Sequence, residues 1–264
     1  MRNVRFGLIG HPIEHSLSPA LFKAGYDGKY PYDLIQGEDF ETSYQRFLQE
    51  YDGINVTAPF KEVAYAKADI VSDECRLCKA TNLMIKTPDG IKAHNSDFLG
   101  VRLWLQDVSE KVSCPTVLIV GTGGAGRAAA AAAASLGMDT ILMNRNPERA
   151  EKLAEDLKGK GHDVRTGLMK DLRECFLEAD VMIYSIPTAI PELNTLADSR
   201  FTPDQAKFIL EANYKDPSFK EDFIKDMRMV RYTGGRTWLL YQALTGYEIF
   251  TGEKPDLEKM SAVL

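Results

Sequence analysis

Short apolar runs alternate along this chain with longer stretches in which apolar residues return every three or four positions. These are the periods of buried strands and amphipathic helices. In the first third, VRFGLIG, YDLIQG and GINVT predict strands, and SPALFKAGYDG and EDFETSYQRFLQEY predict helices. Ser18 is placed as an N-cap and Pro19 at the first helical position, where a missing N–H costs nothing. In the second helix Phe40, Tyr44, Phe47, Leu48 and Tyr51 share one face. APFKEVAYAKA predicts a helix starting near Pro59, and TNLMIK and GIKAHN a strand pair turning at Pro88-Asp89-Gly90. SDFLGVRLWLQD then carries the apolar stripe Phe98, Val101 and Leu105 on a helix that begins near Ser96.

A polar stretch, VSEKVSCP, marks a boundary, and from Thr116 strands and helices alternate cleanly: TVLIVG, an alanine-rich helix, DTILMN, PERAEKLAEDLK, DVRTG, ADVMIYSIP and AKFILEANY. Such βαβ succession builds a parallel sheet covered by helices. The alanine run 128–134 suits a helix lying close on a sheet. WLLYQALTGYEIF and LEKMSAVL close the chain as helices. The expected fold class is α/β with two domains. An N-terminal domain over 1–100 is completed by C-terminal helices in 237–264, and a Rossmann-type doubly wound domain covers 101–236.

Composition narrows the partners. At 264 residues, 44% hydrophobic and 27% charged, the chain is long enough for two domains with cores of their own. A net charge of −6 without a long basic run argues against a nucleic-acid surface. No apolar stretch is long enough to span a bilayer, and MRNVRFGLIG reads as a strand rather than a signal peptide, so the cytoplasm is expected. Cys75 and Cys78 form a lone CxxC with no second pair to complete a zinc site, so no metal is expected. A small-molecule partner and a monomer or homodimer are expected.

The chemistry begins at VGTGGAG. Gly121, Thr122, Gly123, Gly124 and Ala125 follow an apolar strand and open a long helix, the context in which a glycine-rich turn lets a pyrophosphate approach the amides of a helix N-terminus. After the next strand, where an NAD-binding chain carries an acid for the adenosine ribose, Asn144, Arg145 and Arg149 stand instead. An arginine pairs with a phosphate through parallel hydrogen bonds, which favours NADP. The arginines would equally serve as solvated residues of the following helix.

Upstream, HSLSP places Ser16 and Ser18 just before a helix, where hydroxyls and dipole together suit a carboxylate. NVTAPFK sets Thr57 at a strand end and Lys61 in the first turn of a helix, facing the positive end of its dipole, as a candidate proton donor and acceptor. HNSD supplies Asn95, Ser96 and Asp97 at another helix start. Capping explains Ser18 and Asp97 as well as catalysis does, and a surface lysine is the ordinary fate of Lys61.

In order along the chain these blocks resemble those of the shikimate dehydrogenase family. GHPIEHSLSP is similar to G-x-P-I-x-H-S-x-S-P, GINVTAPFK to N-V-T-x-P-x-K, KATN to A-V-N, HNSD to D-N-T-D, GTGGA to G-A-G-G-A, and MNRNPERA to the NRT-x-x-R run. The resemblance implies NADP-dependent interconversion of 3-dehydroshikimate and shikimate, a step toward chorismate and the aromatic amino acids. It makes Lys61 and Asp97 the catalytic pair. It makes Ser16, Ser18, Thr57, Lys61, Asn82, Asp97, Tyr214 and Gln242 substrate contacts, and it adds Ala212 and Gly235 to the cofactor residues.

Several positions depart from the family pattern. I-N-A-T reads Ile183-Tyr184-Ser185-Ile186, and D-M-F-Y reads Glu211-Ala212-Asn213-Tyr214. G-x-G-M-L reads Gly235-Arg236-Thr237-Trp238-Leu239, the threonine after A-V-N is Leu83, and Asn146 replaces that of NRT. The first four of these changes imply altered contacts on the nicotinamide side, and Asn146 bears on the NADP reading instead. They leave two other readings in view: a quinate or other cyclic hydroxy-acid dehydrogenase using NAD or NADP, and a non-catalytic regulatory protein that binds NADP and a shikimate-like ligand.

Overall fold

The computed structural model describes residues 4–197, 206–227 and 229–264. They fall into two compact units, one of residues 1–100 and 240–264 and the other of residues 101–239.

The first unit runs β1 (Phe6–Gly10), α1 (Ser18–Gly25), β2 (Tyr32–Gln36), α2 (Phe40–Glu50), β3 (Gly53–Val56), α3 (Lys61–Ala66), β4 (Ile70–Val71), α4 (Asp73–Cys78), β5 (Leu83–Thr87) and β6 (Gly90–His94), and then enters α5 (Ser96–Ser109). Its sheet has the order β2-β1-β3-β5-β6-β4. β1 pairs parallel with β2 and β3, β5 lies antiparallel between β3 and β6, and β4 pairs parallel with β6. The β5–β6 hairpin is the pair expected from the turn at Pro88-Asp89-Gly90. The two-residue β4 is too short to show a period in sequence.

One apolar cluster of this unit joins Ile9, Ile35, Ile54, Val56 and Met84 of the sheet to Phe40, Tyr44, Phe47 and Tyr51 of the α2 region. Leu48, expected on the same face, is instead among the exposed hydrophobic residues. Asp39 caps α2 by accepting from the amides of Glu41 and Thr42. A second group of rings, among them Phe6, Phe22, Tyr32, Tyr247 and Phe250, packs edge-on, tilted or stacked. Cys75 and Cys78 lie fully buried on α4, and burial pushes the Cys75 thiol up to about 12. A neutral, buried thiol is a core residue rather than a nucleophile. All four cysteines are free, and among the described residues no group of three or more His, Cys, Asp or Glu could hold a metal ion.

Glu74 ties α4 to β6, with Oε1 3.0 Å from His94 Nδ1. Burial opposes its charge, but the contact with His94 and the carboxylate's own backbone amide prevail and hold the carboxyl down to about 2, against an ordinary 4.5. A native carboxylate with a depressed value binds fewer protons than the unfolded one. Its stabilisation is therefore complete above about pH 4.5 and is lost as the pH falls toward 2. Thermal unfolding of wild type and Glu74→Gln across pH 6 to 2 should show the wild type more stable at the upper end, with the gap closing through that interval. A gap independent of pH would contradict the assignment.

The second unit is all parallel. It contains β7 (Val117–Val120), α6 (Gly124–Ser135), β8 (Thr140–Met143), α7 (Pro147–Lys158), β9 (Val164–Gly167), α8 (Leu172–Glu178), β10 (Val181–Tyr184), β11 (Lys207–Glu211), α9 (Glu221–Asp226) and β12 (Val230–Thr233). α10 (Gly235–Thr251) then leads back into the first unit, where α11 (Leu257–Ser261) ends the described elements. The strand order β12-β11-β10-β7-β8-β9 reverses direction beside β7, as in the doubly wound dinucleotide folds. Alternation assigns Leu118, Val120, Ile141, Met143, Met182 and Tyr184 to the face that packs on Leu172 and Phe176 of α8. Ala128 to Ala134 are all buried on α6, which contacts β7, β8 and β10. Methyl side chains allow that close packing of helix on sheet. No helix among the described residues is long and apolar enough to cross a membrane.

Candidate active site

Strand direction gathers the polar candidates of the first unit. β1, β3 and β6 all run the same way, because β5 between β3 and β6 is antiparallel to both. The residues after β1, β3 and β6, and those before β5, therefore meet at one edge of the sheet. Ser16 and Ser18 follow β1, Thr57 and Lys61 follow β3, Asn82 precedes β5, and Asp97 follows β6.

After β3 the chain turns tightly. The Thr57 amide donates to Ile9 O at 2.8 Å and the Phe60 amide to Thr57 O at 3.0 Å. This turn occupies the positions where the helix was expected, so α3 starts at Lys61 rather than near Pro59. The lysine remains in the first turn. Its Nζ lies 2.5 Å from Asp97 Oδ2, with the two side chains only 15% and 10% exposed. Lys61 is thus not a solvated surface lysine. Nor does Asp97 cap α5: Asn95 Oδ1 accepts the Phe98 amide at 3.0 Å, and the Asn95 side-chain amide donates to Ala80 O. Asp97 is left to face Lys61.

A buried polar network begins at Ser96, the residue before Asp97. Ser96, fully buried, donates its amide to Asn82 Oδ1 at 2.7 Å and its hydroxyl to Gln242 Oε1 at 3.0 Å, and accepts from Asn82 Nδ2 at 3.0 Å. Asn55 Nδ2 donates to Asn82 O, and the Tyr32 hydroxyl donates to Asn55 Oδ1 at 2.7 Å. Burial, reinforced by Tyr247, holds the Tyr32 phenol well above its ordinary value, so it remains a donor. Gln242 reaches this network because a side chain on Gly100 or Gly246 would collide. A Cβ at Gly100 would lie 2.7 Å from Gln242 N, and one at Gly246 2.9 Å from Ser96 Oγ. The sequence motifs contain Ser96 and Asn55 without implying a role for either. Fully buried polar side chains need partners, and that requirement was the available signal.

Ser18 does not cap α1. The N-cap residue is Leu17, which offers no side-chain bond, and Ser18 is the first helical residue, with Pro19 second. Ser16 fills the gap: its Oγ accepts the Ser18 amide at 3.2 Å, and it donates to Ser18 Oγ at 3.1 Å. The paired hydroxyls stand at a helix start, and the Tyr247 hydroxyl donates to Ser18 O behind them.

The second unit carries the remaining candidates. Gly121 has φ +100, and a Cβ on Gly126 would overlap the Gly121 carbonyl oxygen, so neither position tolerates a side chain. Gly123, the N-cap of α6, has nothing within 4 Å of where a side chain would begin. The helix start is thus free of any side-chain cap and has open space over it. That arrangement fits a pyrophosphate.

Asn144 Oδ1 lies 3.4 Å from the Thr122 amide, and its Nδ2 donates to Asn146 O. Asn146, in place of the family's threonine, caps α7 by accepting from the Glu148 amide at 3.0 Å. The replacement therefore keeps the cap. Arg145 and Arg149 are exposed.

Tyr184 and Ile186 turn into the core, with the Tyr184 hydroxyl donating to Thr188 O at 2.7 Å. Glu211 is fully buried and accepts from the Ser218 amide and the Tyr232 hydroxyl, each at 2.6 Å. It anchors the turn that bears Ala212 and Tyr214. Gly235 lies against that turn, where a Cβ would come within 2.5 Å of Asn213 C.

Comparison with known proteins shows what the chain is similar to. A family model for the shikimate dehydrogenase substrate binding domain matches residues 8–84, and one for shikimate / quinate 5-dehydrogenase matches 104–206. Shikimate dehydrogenase (NADP(+)) of Acinetobacter baumannii is 32% identical, over 96% of this chain and 98% of its own. Shikimate 5-dehydrogenase from Thermus thermophilus, solved in complex with shikimate, is 25% identical with a TM-score of 0.78, over 98% of this chain and 97% of its own. Quinate dehydrogenase from Corynebacterium glutamicum, solved with NAD, shares the fold with a TM-score of 0.85 at 23% identity, over 99% of this chain and 98% of its own.

Proposed function

The chain belongs to the shikimate dehydrogenase family, and from that premise we propose that it interconverts 3-dehydroshikimate and shikimate with NADP, using Lys61 and Asp97 for the proton. The observation that carries this reading is the 2.5 Å contact of Lys61 Nζ with Asp97 Oδ2 between two largely buried side chains. A protein that only bound its ligand would have no need of such a pair.

Gly121, Thr122, Gly123, Gly124 and Ala125 would hold the pyrophosphate of the dinucleotide. Asn144, Arg145 and Arg149 would lie toward its adenosine phosphate, and Ala212 and Gly235 toward its other end. When bound as NADPH, the dinucleotide would supply the hydride for the ketone carbon. Lys61 gives a proton to the oxygen of that carbon, which becomes the hydroxyl of shikimate, and takes it back in the reverse direction. Asp97 accepts a hydrogen bond from the same hydroxyl and holds Nζ in place. Proton transfer by a positioned group contributes roughly 10²–10⁴-fold. Ser16 and Ser18 donate to the substrate carboxylate, and Thr57, Asn82, Tyr214 and Gln242 contact the ring hydroxyls.

The unit of residues 1–100 and 240–264 is assigned to the substrate and the unit of residues 101–239 to the dinucleotide. Four free cysteines suit a reducing compartment and extend the reading to a cytoplasmic enzyme. The test is reduced-nicotinamide absorbance with shikimate or quinate, each offered with NADP+ or NAD+. Turnover dominated by shikimate with NADP+ is expected. A preference for quinate or NAD+ would move the specificity, and silence in all four would overturn the reading.

A further inference from the structure

Where the family pattern has alanine, this chain has Ser185, the first residue after β10. Tyr184 points into the core shared with α8, so alternation turns Ser185 to the opposite face, toward the glycine-rich turn. Its amide donates to Val120 O at 2.9 Å. Its Oγ lies 3.1 Å from Val120 O and 3.2 Å from Gly121 O, and shares its one proton between them. The hydroxyl fits closely: a Cβ on Gly121 would come within 2.6 Å of it, and one on Gly126 within 2.8 Å.

The Gly121 carbonyl and the Thr122 amide belong to one planar peptide and point in opposite directions. Ser185 holds the carbonyl end, while Asn144 Oδ1 faces the amide end at 3.4 Å. Side chains following two different strands, β10 and β8, thus tether both ends of the first peptide of the turn. Gly121, with φ +100, has the conformational freedom that makes such tethering useful.

We propose that Ser185 is a positioning residue for the dinucleotide, whose hydroxyl fixes the Gly121–Thr122 peptide so that the phosphate-binding turn is ordered before the cofactor arrives. The proposal rests on the NADP reading above. A turn ordered in advance does not draw that cost from the binding energy. The turn faces the pyrophosphate, which NADP and NAD share, so the hydroxyl serves both cofactors alike and leaves the Lys61–Asp97 site untouched.

The experiment compares wild type with Ser185→Ala, measuring Kd for NADP+ and for NAD+, and kcat and the shikimate KM at saturating NADP+. The variant should weaken both dinucleotides by about three- to tenfold and by the same factor, with kcat and shikimate KM unchanged. Unchanged dinucleotide affinity overturns the proposal while leaving the NADP reading in place. So does a loss confined to NADP+, which would put Ser185 at the adenosine phosphate, or a fall in kcat at saturation. A wild-type protein that bound neither dinucleotide would overturn the NADP reading and this inference together.

Discussion

Replacing Lys61 with alanine is expected to lower kcat by about 10²–10⁴-fold, the range for loss of a positioned proton donor, while the Kd for NADP+ stays within about twofold of wild type. The two halves of this expectation come from different parts of the chain. Lys61 is the first residue of α3, and its largely buried Nζ is 2.5 Å from Asp97 Oδ2. The glycine-rich turn belongs to the other compact unit. The change also strips a buried carboxylate of its cation, and an uncompensated buried charge destabilises a fold. Lys61→Met is therefore the companion variant, since it keeps most of the side-chain volume. Both variants should be inactive in the same degree, whatever their difference in melting temperature. Single-turnover rates in either direction with pre-bound dinucleotide provide the check. A kcat within threefold of wild type in the methionine variant would remove Lys61 from the chemistry.

How much of this site could be read in advance depended on the range of the interaction. The strand and helix pattern is local, and the parallel second sheet follows from its βαβ succession. The residues of the site were visible as well, because glycines before a helix or a lysine after N-V-T carry their chemistry in a few positions. Their meeting was not visible. Lys61 and Asp97 lie on either side of the β5–β6 hairpin, and only the antiparallel placement of β5 brings the ends of β3 and β6 to one edge.

Helix ends misled the reading where a loop residue took over the cap. Ser18 has the chemistry of an N-cap, but Ser16 satisfies its amide and Leu17 occupies the cap position. The start near Pro59 gave way to a tight turn that needs Thr57 to Phe60. In the sequence Ser185 stands out only as a departure from a pattern. Its use depends on the close approach of β10 to the turn after β7, a contact between segments far apart in the chain.

Asp97→Asn separates the two roles that the sequence left open for this residue. If Asp97 served mainly to start α5, the change would cost little activity and the asparagine would cap almost as well. The structure gives the cap to Asn95, whose Oδ1 accepts the Phe98 amide at 3.0 Å. Asn95→Ala should therefore destabilise the fold by about 1 kcal/mol, and more where the bond from its Nδ2 to Ala80 O is also lost. Asp97→Asn keeps the size of the side chain and an oxygen to accept from Lys61, but not the negative charge. Its helix cap is kept, and any fall in melting temperature comes from Lys61 losing its buried counter-charge rather than from the helix. Turnover should nonetheless fall by about 10²-fold or more, because a neutral amide holds the ammonium less firmly and is a weaker acceptor for the reacting hydroxyl. Thermal melts and steady-state kinetics on the two variants separate the roles: Asn95→Ala loses stability but keeps its rate once folded, and Asp97→Asn loses rate even where it is fully folded. The opposite pattern, with Asp97→Asn unstable but fully active once folded, would return Asp97 to a structural role and leave Lys61 without its partner in the chemistry.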